Sequence, residues 1–238
     1  MQRYFGEIFE GRAILCEDDV FHLIKVMRGR VATEIEVVSN GKVYLCHIEK
    51  MKPLIIRVQG EISEDRELKS DVILIMAPIK GDKTALVLQK ATELGVREVV
   101  LLHTSRTVVN FNHRDLIDKL SRFRKILKEA AEQSQRIHIP TISYLDDIAK
   151  LASIRADHKL IAYEQQSGPT SGLNKILKSL KKQERIAIVI GPEGGFAPEE
   201  IEVAKSCQYI PVSLGHRILR AETASIYALC VIANALEN

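Results

Sequence analysis

Length, composition and charge first limit the class of protein. The chain has 238 residues, of which 46% are hydrophobic, and a formal net charge of +3, which suits a small domain followed by one of ordinary size. Its four cysteines show no metal-ligand spacing, and no apolar run approaches the ~18 residues of a membrane-spanning helix. We therefore expect a cytoplasmic protein with reduced thiols, without a metal site, a secretion signal or a membrane span.

The N-terminal part of the chain has the pattern of a small β domain. Apolar residues alternate with polar ones from Ile35 to Val58, and Asn40-Gly41 provides the signal of a hairpin turn. The polar stretch 63–70 indicates a linker. We predict a compact β domain over residues 1–69, and this pattern leaves a barrel and a twisted meander equally open.

From residue 70 onward, strand-like runs alternate with helical ones. The predicted strand and helix pairs are 72–76 with 83–94, 99–103 with 115–133, 160–164 with 173–181, 186–190 with 198–206, and 209–213 with 222–236. Such alternation predicts an α/β domain over residues 70–238, with a parallel sheet covered on both faces. The last helix is apolar nearly all round, which indicates burial on more than one side, within the monomer or in a dimer.

Two glycine-rich turns, at 190–196 and 214–223, are the most informative motifs. Each follows an apolar run and precedes a helical pattern, which predicts turns at the carboxyl ends of neighbouring strands, where open α/β sheets bind ligands. Neither turn has the spacing of a phosphate loop or a dinucleotide fingerprint. Glu193, Glu199 and Glu200 make the first turn acidic, so a neutral or cationic ligand fits better than an anion. Taken alone, ordinary turn and helix-start roles are about equally well supported.

Basic residues cluster in the β domain and along the polar side of the long helix predicted over 115–133. Such runs are most often solvated surface. Aromatic residues make up only 5% of the chain, and there is no Trp. Any RNA contact is therefore expected to be mainly to phosphates.

Four motifs in order carry a resemblance to a known family. The run 80–96, the segment 130–140 and the two glycine turns together resemble the RsmE-type 16S ribosomal RNA uridine-N3 methyltransferases of the SPOUT superfamily. Residues 3–5 and 22–28 also look like the PUA-like N-terminal domain of this family. The resemblance thus covers essentially the whole chain.

The resemblance implies a PUA-like β-barrel RNA-binding domain over residues 1–69 and a SPOUT methyltransferase domain over 70–238, whose parallel sheet carries a C-terminal trefoil knot. It also implies S-adenosylmethionine as cofactor, and a cytoplasmic homodimer that methylates N3 of one uridine of 16S rRNA within the 30S subunit. A sulfonium cation agrees with the acidic first turn. Two alternatives stay open: the same fold acting on another rRNA or tRNA nucleotide, and a non-catalytic RNA-binding assembly factor.

The resemblance also assigns roles to residues of the two turns. Arg220 is the strongest catalytic candidate, because a guanidinium beside O2 or O4 stabilises the negative charge of uracil after N3 loses its proton. Glu222 could accept that proton or orient Arg220, and Thr223 could hydrogen-bond the base or cap the helix. The residues expected to line the cofactor pocket are Ile190, Gly191, Pro192, Glu193, Gly194, Gly195, Ser213, Leu214, Gly215, Ile218 and Leu219.

Four further residues are expected to contact RNA by the same resemblance: Arg3, His22, Arg28 and Arg136. For Arg3 and Arg28 the alternative is an ordinary surface arginine. For His22 the alternative is a structural role.

Overall fold

The structure, a computed structural model, describes residues 1–64, 66–109, 111, 113–163, 173–178 and 183–237. The chain divides into two compact units. The first comprises Met1–Glu67 and Ala131–His138, and the second comprises Leu68–Ala130 and Ile139–Asn238. The chain thus returns to the first unit at the end of its long helix, whereas the domain boundary predicted between residues 69 and 70 divides the sequence once.

A six-stranded mixed sheet forms the first unit. Its strands are β1 (Arg3–Phe5), β2 (Glu7–Phe9), β3 (Arg12–Ile14), β4 (Glu34–Ser39), β5 (Lys42–Met51) and β6 (Leu54–Ile62), in the order β1-β4-β5-β6-β3-β2. β1 pairs with β4 in parallel, and the other pairs are antiparallel. A short helix, α1 (Glu17–Phe21), and a π-helical segment, His22–Val26, connect β3 to β4.

The hairpin between β4 and β5 turns where the sequence predicts it. Asn40 and Gly41 both have positive φ, 51° and 75°, as a two-residue turn between right-twisted strands requires. Inward-facing aliphatic residues of these strands, such as Val37 and Ile48, are fully buried. Burial also raises the pKa of the Cys46 thiol to about 11, so this cysteine belongs to the core of the unit.

The second unit contains a six-stranded parallel sheet. Its strands are β7 (Val72–Met76), β8 (Glu98–Leu102), β9 (Thr141–Leu145), β10 (His158–Ala162), β11 (Ile186–Ile190) and β12 (Ile210–Val212), in the order β12-β10-β11-β7-β8-β9. The helices that follow in the chain are α2 (Lys83–Glu93), α3 (His113–Gln133), a 3₁₀-helix (Ile148–Ser153), α4 (Leu173–Leu177), α5 (Pro198–Ser206) and α6 (Ala221–Glu237).

Both faces of this sheet are covered, as predicted. Alternate residues of β7 enter two separate cores: Leu74 packs with the cluster that includes α2 and α6, and Ile75 packs with the cluster that includes α5. Every residue of β7 and β11 is buried, because a strand covered on both sides has no polar face.

The structure adds to the predicted elements and shortens some of them. β9 and the 3₁₀-helix are additional. The helix predicted over 173–181 spans Leu173–Leu177, and residues 179–182 lie outside the described residues. Residue 164 of the strand predicted over 160–164 also lies outside them. The last helix is buried along one side only: Tyr227 and Cys230 of α6 are exposed. Within the described part of the chain, no helix is long and apolar enough to cross a membrane.

Candidate active site

A cavity of about 450 Å³ lies in the second unit at the carboxyl ends of β10, β11 and β12. Its wall includes both glycine-rich turns, one after β11 and the other after β12. Parallel strands end at one edge of a sheet, which is the edge where open α/β sheets bind ligands. Its volume is that of a small-molecule site.

The two turns do not follow neighbouring strands, and on this point the sequence prediction was wrong. β10 lies between β11 and β12 and pairs with both. As a result, Ala162 and Tyr163, at the end of β10, also line the cavity. Sequence reasoning missed these two residues because the order of strands in a sheet is not contained in local periodicity.

The first turn is tightly packed. A Cβ atom on Gly191 would lie 3.0 Å from the Phe196 ring, so a larger residue would push that buried ring away. Arg106 Nη1 donates a hydrogen bond of 2.9 Å to the Gly194 carbonyl oxygen, and Gly195 has a φ of 66°. Close approach and backbone conformation therefore both explain the glycines of this turn.

A buried carboxylate organises the start of α5, which follows the first turn. Glu200 accepts hydrogen bonds from the backbone N–H groups of Ala197, at 2.8 Å, and Ser105, at 2.7 Å. Pro198 is the first residue of α5, as predicted. Glu200 is thus committed to capping the helix, and Glu193 is the acidic residue of this region that lines the cavity.

The second turn contains a glycine for a different reason. Gly215 has a φ of 122°, and a Cβ atom there would meet open space. Its backbone conformation, rather than crowding, therefore favours glycine. Ser213 Oγ holds the turn by donating to the Gly215 carbonyl at 3.1 Å and accepting from the Gly215 N–H at 3.2 Å.

Ionisable side chains lie at the end of this turn. Arg220 is exposed and lines the cavity. Glu222, in the first turn of α6, pairs with Lys83 Nζ at 2.9 Å through Oε1, and its side chain is only 14% exposed. Thr223 is exposed and does not line the cavity. Sequence reasoning gave no role to Lys83, although this residue lies in the run 80–96 and begins the helix after β7.

The ion pair changes the acid–base character of Glu222. The hydrogen bond from Lys83, followed by a backbone hydrogen bond, holds the pKa of Glu222 below its ordinary value, and the charge of Arg220 acts in the same direction. A carboxylate with a lowered pKa is a weaker base. The geometry therefore favours an ionised hydrogen-bond acceptor over a proton acceptor.

All of the residues expected to contact the cofactor line this one cavity: Ile190, Gly191, Pro192, Glu193, Gly194, Gly195, Ser213, Leu214, Gly215, Ile218 and Leu219. Their contact with a cofactor stays a prediction. Among the described residues, no group of three or more His, Cys, Asp or Glu side chains could hold a metal ion.

The guanidinium of Arg3 is buried in the first unit. Arg3 is 0% exposed, and its nitrogens bind Glu36 Oε2, at 2.7 Å, Glu64 Oε2, at 2.5 Å, and the carbonyl oxygen of Gln135. A buried arginine with this many acceptors is satisfied internally. This burial argues against the expected RNA contact of Arg3 and favours a structural role.

Arg136 is also buried, at 2% exposed. Two of its nitrogens, Nε and Nη2, bind Glu67 Oε2 at 3.1 Å and 2.5 Å. Glu67 Oε1 also accepts from the Ile137 N–H at 3.0 Å. Arg136 therefore fixes the segment 131–138 within the first unit, which argues against its expected RNA contact as well.

His22 and Arg28 lie around the π-helical segment. His22 is half-buried, and its Nδ1 atom forms a hydrogen bond of 2.9 Å with the Tyr4 hydroxyl. Arg28 is exposed and has a φ of 55°, a conformation that L residues other than Asn and Asp seldom adopt. Of the four residues expected to contact RNA, Arg28 is the one whose exposure best fits that role.

Comparison with known proteins places both units in one family. A family model described as an RNA methyltransferase domain matches residues 66–233, and one described as an RNA methyltransferase PUA domain matches residues 15–59. A Bacillus subtilis protein named ribosomal RNA small subunit methyltransferase E is 33% identical over 251 residues, covering 100% of this chain and 98% of the relative.

Solved structures share the fold along almost the whole chain. A methyltransferase from Legionella pneumophila, determined with bound SAM, is 27% identical, with a TM-score of 0.87 and coverage of 99% of this chain and 98% of that chain. A ribosomal RNA small subunit methyltransferase E from Neisseria gonorrhoeae, bound to S-adenosyl methionine, shows the same fold at 24% identity, with a TM-score of 0.84 and coverage of 98% and 97%. This chain belongs to the family of the ribosomal RNA small subunit methyltransferases E.

Proposed function

We propose that this protein transfers a methyl group from S-adenosylmethionine to N3 of a specific uridine in 16S rRNA of the small ribosomal subunit. One observation carries the proposal: both glycine turns expected to hold the cofactor open into the same cavity as the exposed guanidinium of Arg220. The name of the Bacillus subtilis relative supports the small-subunit substrate. The SAM bound to the Legionella pneumophila structure supports the cofactor.

The cavity residues suit this cofactor. When bound, S-adenosylmethionine supplies an electrophilic methyl group on a sulfonium cation. Gly191 packs against the Phe196 ring, which leaves no room for a side chain at this position of the first turn. Glu193 adds a negative charge to the cavity wall. Beside Glu193, the wall suits a cationic group of the ligand better than a phosphate.

Arg220 is proposed as the principal catalytic residue. Uracil N3 must lose its proton before it can attack a methyl group, and the negative charge spreads onto O2 and O4. A guanidinium keeps its charge at any working pH, so Arg220 stabilises the developing anion without a proton transfer of its own. Glu222 and Thr223 are proposed as supporting residues, with Glu222 acting as an ionised acceptor rather than a base.

The first unit is proposed to bind RNA, with residues 1–69 as the PUA-like domain and 70–238 as the methyltransferase domain that carries a trefoil knot. Lys25, Arg28 and Arg30 are all exposed in this unit, so they can reach phosphates. Because the proposed substrate is 16S rRNA within the 30S subunit, we propose that the protein acts in the cytoplasm. The cysteines of the described residues form no disulfide, which supports this compartment.

A homodimer is proposed as the working state. Ile218, which lines the cavity, is 85% exposed, and Tyr227 of α6 is 41% exposed. A second copy of the chain would cover such side chains at a symmetric interface. Sedimentation equilibrium at micromolar concentration should give twice the chain mass of 26.8 kDa, and a single-chain mass would oppose the dimer.

The proposed function is tested by offering the protein methyl-labelled S-adenosylmethionine together with 30S subunits, 50S subunits or tRNA. We expect label in 16S rRNA of 30S subunits that lack this modification. Label in tRNA or 23S rRNA would show that the protein is a methyltransferase with a different RNA substrate. Cofactor binding without transfer to any of the three RNAs would favour an assembly factor.

A further inference from the structure

Two donor side chains and one acceptor side chain are among the residues that line the cavity: Lys83, Arg220 and Glu222. Lys83 and Glu222 are joined at 2.9 Å through Glu222 Oε1. The other oxygen, Oε2, is shielded from solvent and has no hydrogen-bond partner among the described residues. Arg220 is exposed and close enough to affect the carboxylate electrostatically.

An unpartnered carboxylate oxygen is costly inside a protein. The last side-chain torsion of glutamate is soft, so rotation of the Glu222 carboxylate can present either oxygen to a ligand. Because Lys83 has three N–H donors, it can bind Glu222 and a second acceptor together. The wall of the cavity can thus present a donor, an acceptor and a donor.

Two donors and one acceptor can complement one edge of uracil. The imide edge of uracil carries a carbonyl oxygen, the N3–H donor and a second carbonyl oxygen. Cytosine carries an amino donor, the unprotonated N3 acceptor and one carbonyl oxygen at the same positions. Cytosine would therefore oppose donor to donor and acceptor to acceptor at two of the three positions, and such unpaired polar contacts give strong discrimination.

We propose that Lys83, Glu222 and Arg220 together recognise the imide edge of the target uracil, with Lys83 and Arg220 donating to its carbonyl oxygens and Glu222 accepting from N3–H. This inference rests on the proposed function and adds base selection to it. It assigns Lys83 a direct contact with substrate, a role that nothing in the sequence analysis gave it.

The same three charges also suit the reaction that follows recognition. Two cations and one carboxylate leave one net positive charge, which favours the uracil anion over the neutral base. Once N3 has lost its proton to solvent, Glu222 has no donor there and keeps only its ion pair with Lys83. Its carboxylate then leaves the path by which the methyl group reaches N3.

The test compares 30S subunits that carry uridine or cytidine at the methylated position. Cytosine N3 has a free lone pair and needs no deprotonation, so its exclusion reports recognition rather than reactivity. The variants are Lys83→Met, Lys83→Arg and Glu222→Gln. Lys205→Met is the matched control, because Lys205 is a similarly exposed lysine that forms an ion pair, 2.7 Å from Glu202, on α5. The readouts are kcat, KM for the subunit and the calorimetric Kd for S-adenosylmethionine.

We expect Lys83→Met to lower kcat on uridine by roughly 10² and to change the cofactor Kd by less than about threefold. Lys83→Arg should recover part of the loss, and Lys205→Met should stay within about twofold of the unmodified enzyme. Glu222→Gln, whose amide can also donate, should lower the preference for uridine over cytidine by about tenfold or more.

An unchanged preference in both Glu222→Gln and Lys83→Met would overturn the inference. A loss of kcat matched by an equal loss of cofactor affinity would also overturn it and assign the pair to the cofactor. Failure of the unsubstituted enzyme to methylate uridine in 30S subunits would instead overturn the proposed function on which this inference rests. If Lys83→Met fails to fold, Lys83→Arg and Glu222→Gln carry the same comparison.

Discussion

Three arginines that the sequence motifs single out have different environments. Arg3 and Arg136 are buried and bound to carboxylates of the first unit, whereas Arg220 is exposed at the cavity. The sequence motif predicts an arginine at each position but cannot predict its partners. Glu64, for example, binds Arg3 from far along the chain. The motif positions therefore identified residues that line the cavity, whereas the RNA contacts of Arg3 and Arg136 stay predictions against which their burial argues.

Removal of the Arg220 guanidinium should stop turnover while preserving the cofactor site. We expect Arg220→Ala to lower kcat by roughly 10²–10³, the usual effect of losing one preorganised donor, with little change in the cofactor Kd measured by calorimetry. Gly215→Val should do the opposite and abolish cofactor binding, because valine is strained at a φ of 122°. The reverse pattern in the two variants would refute both assignments.

Glu222 should stay ionised to a lower pH than an ordinary glutamate. Lys83 lowers the pKa of Glu222 in the folded protein. The ion pair therefore stabilises the folded protein above the pKa that Glu222 has in the unfolded chain, and this stabilisation is lost as the pH falls through the pKa of the folded state. An NMR titration of ¹³C-labelled glutamate carboxyls should give a midpoint below the ordinary value of 4.5. The midpoint should rise in Lys83→Met, and a midpoint of 4.5 or above before substitution would contradict the ion pair.

Single helices and strands were predicted more accurately than their arrangement. The bounds of β11 and α5 agree with the prediction, because a fully apolar run and a proline at the helix start are local signals. The insertion of β10 between β11 and β12 is set by the crossover connections, which local patterns do not encode. β9 was missed because only one of its residues, Ile142, is buried and its apolar pattern is weak.

The start of α5 depends on one carboxylate. Glu200→Ala removes the acceptor of two backbone N–H groups, so we expect a loss of ~1–3 kcal/mol in the free energy of unfolding, measured in urea. Glu199, an exposed residue of the same helical turn, provides the control: Glu199→Ala should change stability by no more than ~0.5 kcal/mol. Equal losses in the two variants would show that the buried hydrogen bonds of Glu200 are not what stabilises this helix start.

The net charge of the whole molecule is only +3. RNA affinity therefore depends on local clusters of positive charge. Arg28 is exposed in the first unit beside Lys25 and Arg30 in the sequence. The return of residues 131–138 to this unit could not be predicted, because it depends on the Arg136–Glu67 pair between segments distant in sequence. Overall charge therefore says less about the partner than the distribution of exposed arginines.

If Arg28 binds one phosphate, Arg28→Ala should weaken binding to 30S subunits and reduce the slope of log K against log salt concentration by about 1. Arg155, exposed just before β10 and therefore at the sheet edge opposite the cavity, provides the control. Arg155→Ala should leave the slope unchanged. Identical slopes for Arg28→Ala and the unsubstituted protein would show that Arg28 is an ordinary surface residue that binds no phosphate.

The central claim is uridine-N3 methylation of 16S rRNA by the cavity that Arg220 lines. The most direct test incubates the protein and S-adenosylmethionine with 30S subunits lacking this modification, then identifies the product nucleoside by mass spectrometry after digestion of the 16S rRNA. The account predicts N3-methyluridine at a single site, formed by the unsubstituted protein and not by Arg220→Ala. A different methylated nucleoside, or equal product from Arg220→Ala, would contradict it.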